Sequence, residues 1–236
     1  MLGFCFVKLP QTTTPGDKLY RVAVIGDTCV SEAGLTTIVG RDRRYQICGA
    51  AHGLLDVDEL IRCCRPDILL IEPFLADRDG ILLIKQLAKK FTRLRILVVS
   101  RQSERVYAER ALHSGAAGYW MKNGSPEELM HAVDTVASGE IYASPAIVAM
   151  AIKRFARRND LPSGLDSLSD RELTVFSSIA TGRGTGKIAA ELGVSRKTIE
   201  THCEHIKRKL GYSNAEELKR GAEELLGDKA GGGRHP

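Results

Sequence analysis

A carboxylate at the end of a buried strand is the clearest chemical signal in this 236-residue chain. Ile68 to Ile71 is an unbroken apolar run opened by Pro66-Asp67, the pattern of a central parallel strand covered on both faces, and Glu72 follows it directly. In open α/β sheets, ligands and chemistry collect at the carboxyl ends of the strands, where Glu72 falls. A second signal lies between Arg196 and Leu210. There Ile199, Cys203, Ile206 and Leu210 recur at helical spacing, so Lys197, Thr201, Glu204 and Arg208 share the opposite face. A helix of that kind behind a tight turn is built to meet a DNA major groove.

Three other groupings carry less. GRGTGK, from Gly182 to Lys187, has Thr181 where a phosphate loop needs its first glycine and Ile188 where it needs Ser or Thr, so no nucleotide site is expected. His202, Cys203 and His205 lack a second ligand cluster, and a core cysteine between two surface histidines is the simpler reading. Cys63-Cys64 ends an amphipathic segment and reads as a buried pair rather than a redox couple.

The elements that must position Glu72 alternate strand and helix. Strands are expected at 21–26, 45–50, 68–71, 94–100 and 117–121, and helices at 30–39, 54–64, 81–90, 104–114 and 126–138. This is a flavodoxin-like (βα)5 α/β domain. After Tyr142 the texture changes. Ser144 as N-cap and Pro145 at the first helical position open a helix over 146–158, followed by a flexible break at 159–167. Its basic residues Lys153, Arg154, Arg157 and Arg158 read as a solvated face. From Leu168 the pattern is all-α, with helices at 170–181, 185–192, 196–210 and 215–226, capped by Ser169, Ser195 and Asn214 and ended by Gly182, Gly193 and Gly211. Leu192-Gly193-Val194-Ser195 then joins two helices into a helix-turn-helix. The expected division is one domain at 19–142, a helical linker at 143–166 and a second domain at 167–227, with 1–18 as a loose extension.

Composition narrows the classes. A hydrophobic content of 43% and a net charge of +5 suit a globular chain that nucleic acid would tolerate. The six cysteines show no CxxC spacing, so buried free thiols and a reducing cytoplasm are expected. No run is long enough to span a bilayer, so no membrane association is expected, and 2–9 is too short for a signal-peptide core. No nucleophile or phosphate loop supports a phosphatase or NTPase; the chain reads as a non-enzyme with no cofactor or metal.

The stretch PDILLIEPFLADRDG, Pro66 to Gly80, resembles the middle of a two-component receiver domain. In such domains a strand ends in a phospho-accepting Asp, and Asp-Gly follows seven and eight residues later, the spacing that Asp79 and Gly80 keep from Glu72. The resemblance runs from Leu19 to about Tyr142. It implies that Glu72 stands at the acceptor position, with Ala76 where a Pro is usual. Gly26-Asp27 stands where two acids normally help hold Mg²⁺, so only Asp27 of the acidic pocket survives. By the same resemblance Ser100 is the hydroxyl that contacts a phosphoryl group, Tyr119 the aromatic switch and Lys122 the lysine that pairs with the acceptor. With the input altered and the readout kept, control without aspartyl phosphorylation is expected. Glu72 either partly imitates the phosphorylated state or pairs with Lys122 to lock one conformation. Restoring a response would need Gly26→Asp together with Glu72→Asp.

The segment from Leu168 to Leu218 resembles the LuxR-type DNA-binding domain: Glu172, Lys187-Ile188-Ala189, Ser195 to His202 and Lys209-Leu210-Gly211 all sit at family spacing. Together the two resemblances point to the NarL/FixJ family of response regulators. They imply double-stranded DNA as partner and a homodimer on a two-fold related site. They also imply that Lys197, Thr198, Glu200, Thr201 and Glu204 approach bases or nearby phosphates while Lys207, Arg208 and Lys209 favour the backbone. Glu200 and Glu204 dilute the positive field; they either accept from cytosine amino groups or pair along the helix. The rival expectation is a signalling adaptor whose receiver binds a protein partner, supported by the near balance of charge after Leu168.

Overall fold

The structure, a computed structural model, describes residues 19–53, 57–73, 80–156 and 164–226. The expected N-terminal extension, the helix start at 54–56, the segment with Ala76 and Asp79, and most of the flexible break lie outside the described residues. The described residues form two compact units, the first ending at 156 and the second beginning at 164.

In the first unit β1 (Tyr20–Gly26), β2 (Tyr45–His52), β3 (Ile68–Ile71), β4 (Arg95–Ser100) and β5 (Gly118–Met121) form one parallel sheet in the order β2-β1-β3-β4-β5. α1 (Cys29–Gly40), α2 (Val57–Cys64), α3 (Gly80–Lys90), α4 (Glu104–His113) and α5 (Pro126–Ser138) intervene. The flavodoxin-like expectation therefore holds. Side chains alternate across each strand, so a single sheet sends its apolar residues both ways. Val22, Val24, Ile68, Leu70, Leu97, Val99 and Trp120 pack with Leu35 and Val39 of α1 and Leu129, Val133 and Val136 of α5. Ala23, Ile25, Leu69, Ile71, Ile96, Val98 and Tyr119 are equally buried and fall on the other face, towards α2, α3 and α4. The strands must therefore be apolar without a break, which is why β3 reads ILLI and reaches the polar residue Glu72 only at its end.

α5 is closed by a capping box between Ser125 and Glu128, starts at Pro126 and ends on Gly139 at φ 95°. α6 (Pro145–Ala156) packs against α4, so the expected linker helix belongs to the first unit. The expectation of buried thiols is corrected. Of the described cysteines only Cys64 is buried, Cys48 and Cys203 are half-buried, and Cys29 and Cys63 are exposed. Neighbours on a helix point about 100° apart, so α2 buries one residue of Cys63-Cys64 and turns the other to water.

The second unit opens with a 3₁₀ turn, Gly164–Ser167, and holds α7 (Asp170–Ala180), α8 (Thr185–Glu191), α9 (Arg196–Leu210) and α10 (Ala215–Leu226). Gly182, Gly193 and Gly211 all have positive φ, and Gly211 caps α9 in the left-handed region. The Phe176 and Tyr212 rings stack 6.5 Å apart, joining α7 to the end of α9. α10 lies over them through Gly221, where an added Cβ would fall 2.0 Å from the Tyr212 hydroxyl and 2.3 Å from its Cζ. Gly221→Ala gains about 1 kcal/mol of helix propensity. It also forces a stacked ring aside, and overpacking costs about 1–3 kcal/mol. The expected result is a net loss in a urea melt; an unchanged midpoint would show that Tyr212 moves freely. No helix among the described residues is long and apolar enough to cross a membrane.

Candidate functional site

The carboxyl ends of β1, β3 and β5 bring Asp27, Glu72 and Lys122 into one pocket. Glu72 continues the ladder beyond β3, its N–H donating to the Ile25 carbonyl at 2.9 Å, and is 5% exposed. Lys122 continues β5, its N–H donating to the Ser100 carbonyl at 2.9 Å. Its ammonium pairs with the Glu72 carboxylate and reaches Asp27 Oδ1 at 3.2 Å. Ser31, in the first turn of α1, is the pocket residue that sequence reasoning missed. Its Oγ accepts from Lys122 Nζ at 2.8 Å and donates to Glu72 Oε1. Arg101 approaches Asp27 from outside at 3.9 Å, mostly in water.

The two carboxyls shift in opposite directions. Burial pushes Glu72 above its ordinary value, with Lys122 and Ser31 pulling it back. Burial is also the largest single influence on Asp27, but the hydrogen bond and charge of Lys122, with Glu72 and Arg101, together outweigh it and hold Asp27 below the usual range. Glu72, the more buried of the two, therefore meets the stronger opposition to its charge.

Ser100 is 4% exposed, and its Oγ accepts from the Gln102 N–H at 3.0 Å. Tyr119 is 1% exposed and donates its hydroxyl to the Gln102 carbonyl at 2.9 Å, and burial raises its pKa. Both side chains are thus held on the short segment after β4. At the end of β1, a Cβ on Gly26 would meet the Glu32 backbone nitrogen at 2.6 Å and its Cα at 2.9 Å. Restoring an acid there is therefore not the simple repair that the sequence suggested. Gly26→Asp is expected to cost stability by about 3 kcal/mol, the upper end for overpacking, since the obstacle is helix backbone rather than a side-chain tip. Thermal unfolding of Gly26→Asp with Glu72→Asp checks this; an unshifted midpoint would mean that α1 slides away at little cost.

In the second unit Ser195 caps α9 by accepting from the Thr198 N–H at 3.1 Å, and its hydroxyl lies 2.8 Å from that of Thr198. Lys197, Glu200, Thr201, Glu204 and Arg208 are exposed along α9, Thr198 and Lys207 are half-buried, and Ile199 and Ile206 face the core. Cys203, expected inward, lines a cavity of about 400 Å³ with Ile179, Gly182 and Leu218. Two acids on this face pair along the helix, Glu200 with Arg196 at 3.0 Å and Glu204 with Lys207 at 2.9 Å.

Lys209 does something else. Its Nζ donates at 2.6 Å to Oε2 of Glu172, which is 4% exposed on α7 and also accepts from the Ser169 N–H at 2.8 Å in a capping box. Burial opposes the charge on Glu172, yet Lys209 and Ser169 together lower its pKa. His205 Nδ1 lies 3.7 Å from the other Glu172 oxygen, and Arg171 donates to the Leu192 carbonyl at 3.0 Å. Lys209, expected to favour a DNA backbone, ties the C-terminal end of α9 to the start of α7.

Comparison with known proteins agrees with both units. Residues 22–134 match the response regulator receiver domain, and residues 166–222 match the bacterial regulatory proteins of the luxR family. The oxygen regulatory protein NreC of Staphylococcus aureus (strain bovine RF122 / ET3-1) is 28% identical over 204 residues, covering 84% of this chain and 94% of its own. RcsB from Salmonella enterica serovar Typhimurium, solved bound to promoter rprA with phosphomimetic BeF3−, has a TM-score of 0.67 at 20% identity. That match covers 87% of this chain and 99% of RcsB. A LuxR-family response regulator from Aurantimonas sp. SI85-9A1 has a TM-score of 0.54 at 24% identity, over 58% of this chain and 99% of its own. The chain thus joins a response regulator receiver domain to a helical domain of the bacterial regulatory proteins, luxR family, the make-up of a DNA-binding response regulator.

Proposed function

We propose that this protein binds duplex DNA as a homodimeric transcription regulator whose receiver is controlled without aspartyl phosphorylation. The observation that carries the second half is the buried Glu72–Lys122 pair at the position where the family has its phospho-accepting Asp. The Glu72 carboxylate is 6% exposed and is already engaged by Lys122 and Ser31, which supports a receiver that does not take up phosphate there. The Glu72–Lys122 lock, rather than imitation of a phosphoryl group, is the reading that this contact favours. DNA binding is supported by the family, by the exposed polar face of α9 and by RcsB, which was solved on promoter DNA.

The assigned groove residues are Lys197, Thr198, Glu200, Thr201 and Glu204, with Lys207 and Arg208 nearer the phosphates. Lys197→Ala and Thr201→Ala are each expected to weaken binding to a specific site by about 1–3 kcal/mol. Equal small losses on specific and random duplexes would remove α9 from the groove. Control is tested by titrating DNA with and without acetyl phosphate or beryllofluoride. Unchanged affinity is expected; acid-labile phosphate on the wild-type protein with a several-fold rise in affinity would overturn the reading.

A further inference from the structure

The pocket around Glu72 does not fit the Mg²⁺ that the receiver family implies. Mg²⁺ wants near-ideal octahedral oxygen coordination at about 2.0–2.1 Å. Here β1 ends in Gly26, which brings no carboxylate, and an ammonium stands among the oxygens that remain. That ammonium is well matched to its site. A lysine head has three N–H donors and no acceptor, and Lys122 has three oxygen partners: Glu72 Oε2, Asp27 Oδ1 and Ser31 Oγ.

We propose that this pocket is built to hold the ammonium of Lys122 in place of a divalent cation, and that Ser31, admitted by Gly26, is the positioning residue that specifies the exchange. Gly26 and Ser31 are linked by the approach of α1. The 2.6 Å from a Gly26 Cβ to the Glu32 nitrogen means that α1 rests on the end of β1 at a distance only glycine permits. Ser31 is the neighbour of Glu32, and the Thr28 cap fixes its backbone through the Ser31 N–H at 3.2 Å. Its side chain is thereby delivered between Lys122 and Glu72. A hydroxyl accepts and donates at once, which this place requires: it accepts a hydrogen bond from Lys122 and donates one to Glu72. A third carboxylate could only accept, and it would add negative charge to a pocket whose two carboxylates already share one lysine. Gly26 and Ser31 thus act together in this pocket: the first lets α1 approach β1, and the second places a hydroxyl between Lys122 and Glu72.

This inference rests on the phosphate-independent reading, and its test separates the two. In the full-length protein, acylation of each lysine by a soluble amine reagent is followed by peptide mass spectrometry, with thermal melting to confirm folding. Mn²⁺ binding is followed by loss of the free-ion EPR signal. Wild-type Lys122 should react far more slowly than exposed Lys197, with no Mn²⁺ taken up at millimolar concentration. Ser31→Ala should raise Lys122 labelling several-fold at an unchanged melting midpoint, and Ser31→Thr, which keeps the hydroxyl, should restore protection. Lys122 equally protected in Ser31→Ala would overturn the role of Ser31 while leaving phosphate independence intact. Mn²⁺ uptake by the wild type would overturn the ammonium-for-metal exchange. If beryllofluoride also raised DNA affinity, the underlying reading would fall with it.

Discussion

Lys122→Met is expected to lower the stability of the receiver unit by about 3 kcal/mol at pH 7, because removing one partner strands the other as an uncompensated buried charge. Glu72 sets the ceiling. With its lysine gone it can escape the penalty by taking a proton, and protonating a carboxyl of ordinary pKa 4.5 at pH 7 costs about 3.4 kcal/mol. The loss should therefore shrink as the pH falls. In the wild type the folded pKa of Glu72 is raised, so its contribution to stability is fully present below the unfolded value and is lost as pH rises through the folded one. Asp27, held low, works in the opposite sense and loses its contribution as pH falls through its folded value. Removing Lys122 exaggerates the first effect and weakens the second, so wild type and variant converge in acid. Trp120, the chain's single tryptophan, lies in β5 and is 7% exposed, so its fluorescence in a urea titration reports this unit alone. A shift that is the same at pH 7 and pH 4 would rule out a stranded carboxylate as the cause.

Lys209→Met should destabilise the DNA-binding unit rather than merely flatten the salt dependence of DNA binding. Glu172 is as deeply buried as Glu72, but the Lys209 side chain is 34% exposed against 15% for Lys122, so water screens the pair more. The Ser169 N–H also stays on the Glu172 carboxylate after the lysine is gone. A loss of about 1–2 kcal/mol follows, between the surface and buried limits. Glu172 titrates below its ordinary 4.5, so its contribution is present above that value and is lost as pH falls through the folded value. Lys209→Met removes much of that contribution, and the two proteins should again converge in acid. Thermal unfolding of the isolated signal from the helical unit, compared with the slope of log K against log salt, separates the roles. An unchanged unfolding midpoint with a shallower salt slope would return Lys209 to the DNA phosphates.

The frame of both units is legible in the sequence because it follows from local periodicity. ILLI before Glu72, the apolar runs of β1 and β4, and Ser125-Pro126 opening α5 each state their structure within a few residues, and the five-strand order follows from their alternation with helices. Glu72 was legible because it follows directly on the apolar run that forms β3; Asp27, Ser100, Tyr119 and Lys122 were named through the resemblance to a receiver, and of these Asp27, Ser100 and Lys122 lie at or just past a strand end while Tyr119 lies inside β5. Ser31 was not legible. It is a polar residue in the first turn of a helix, where serine is ordinary, and its entry into the pocket depends on how closely α1 lies against Gly26. The three basic residues Lys207, Arg208 and Lys209 show the same limit. Composition makes them equivalent, but consecutive helical residues point about 100° apart, and only the packing of α9 on α7 turns Lys209 towards Glu172. What the chain determined by itself was therefore the elements and the residues at their ends, since both are fixed by neighbours in sequence. Tertiary structure decided which charge meets which, because a lysine is satisfied by whatever carboxylate the approach of two elements brings within about 3 Å.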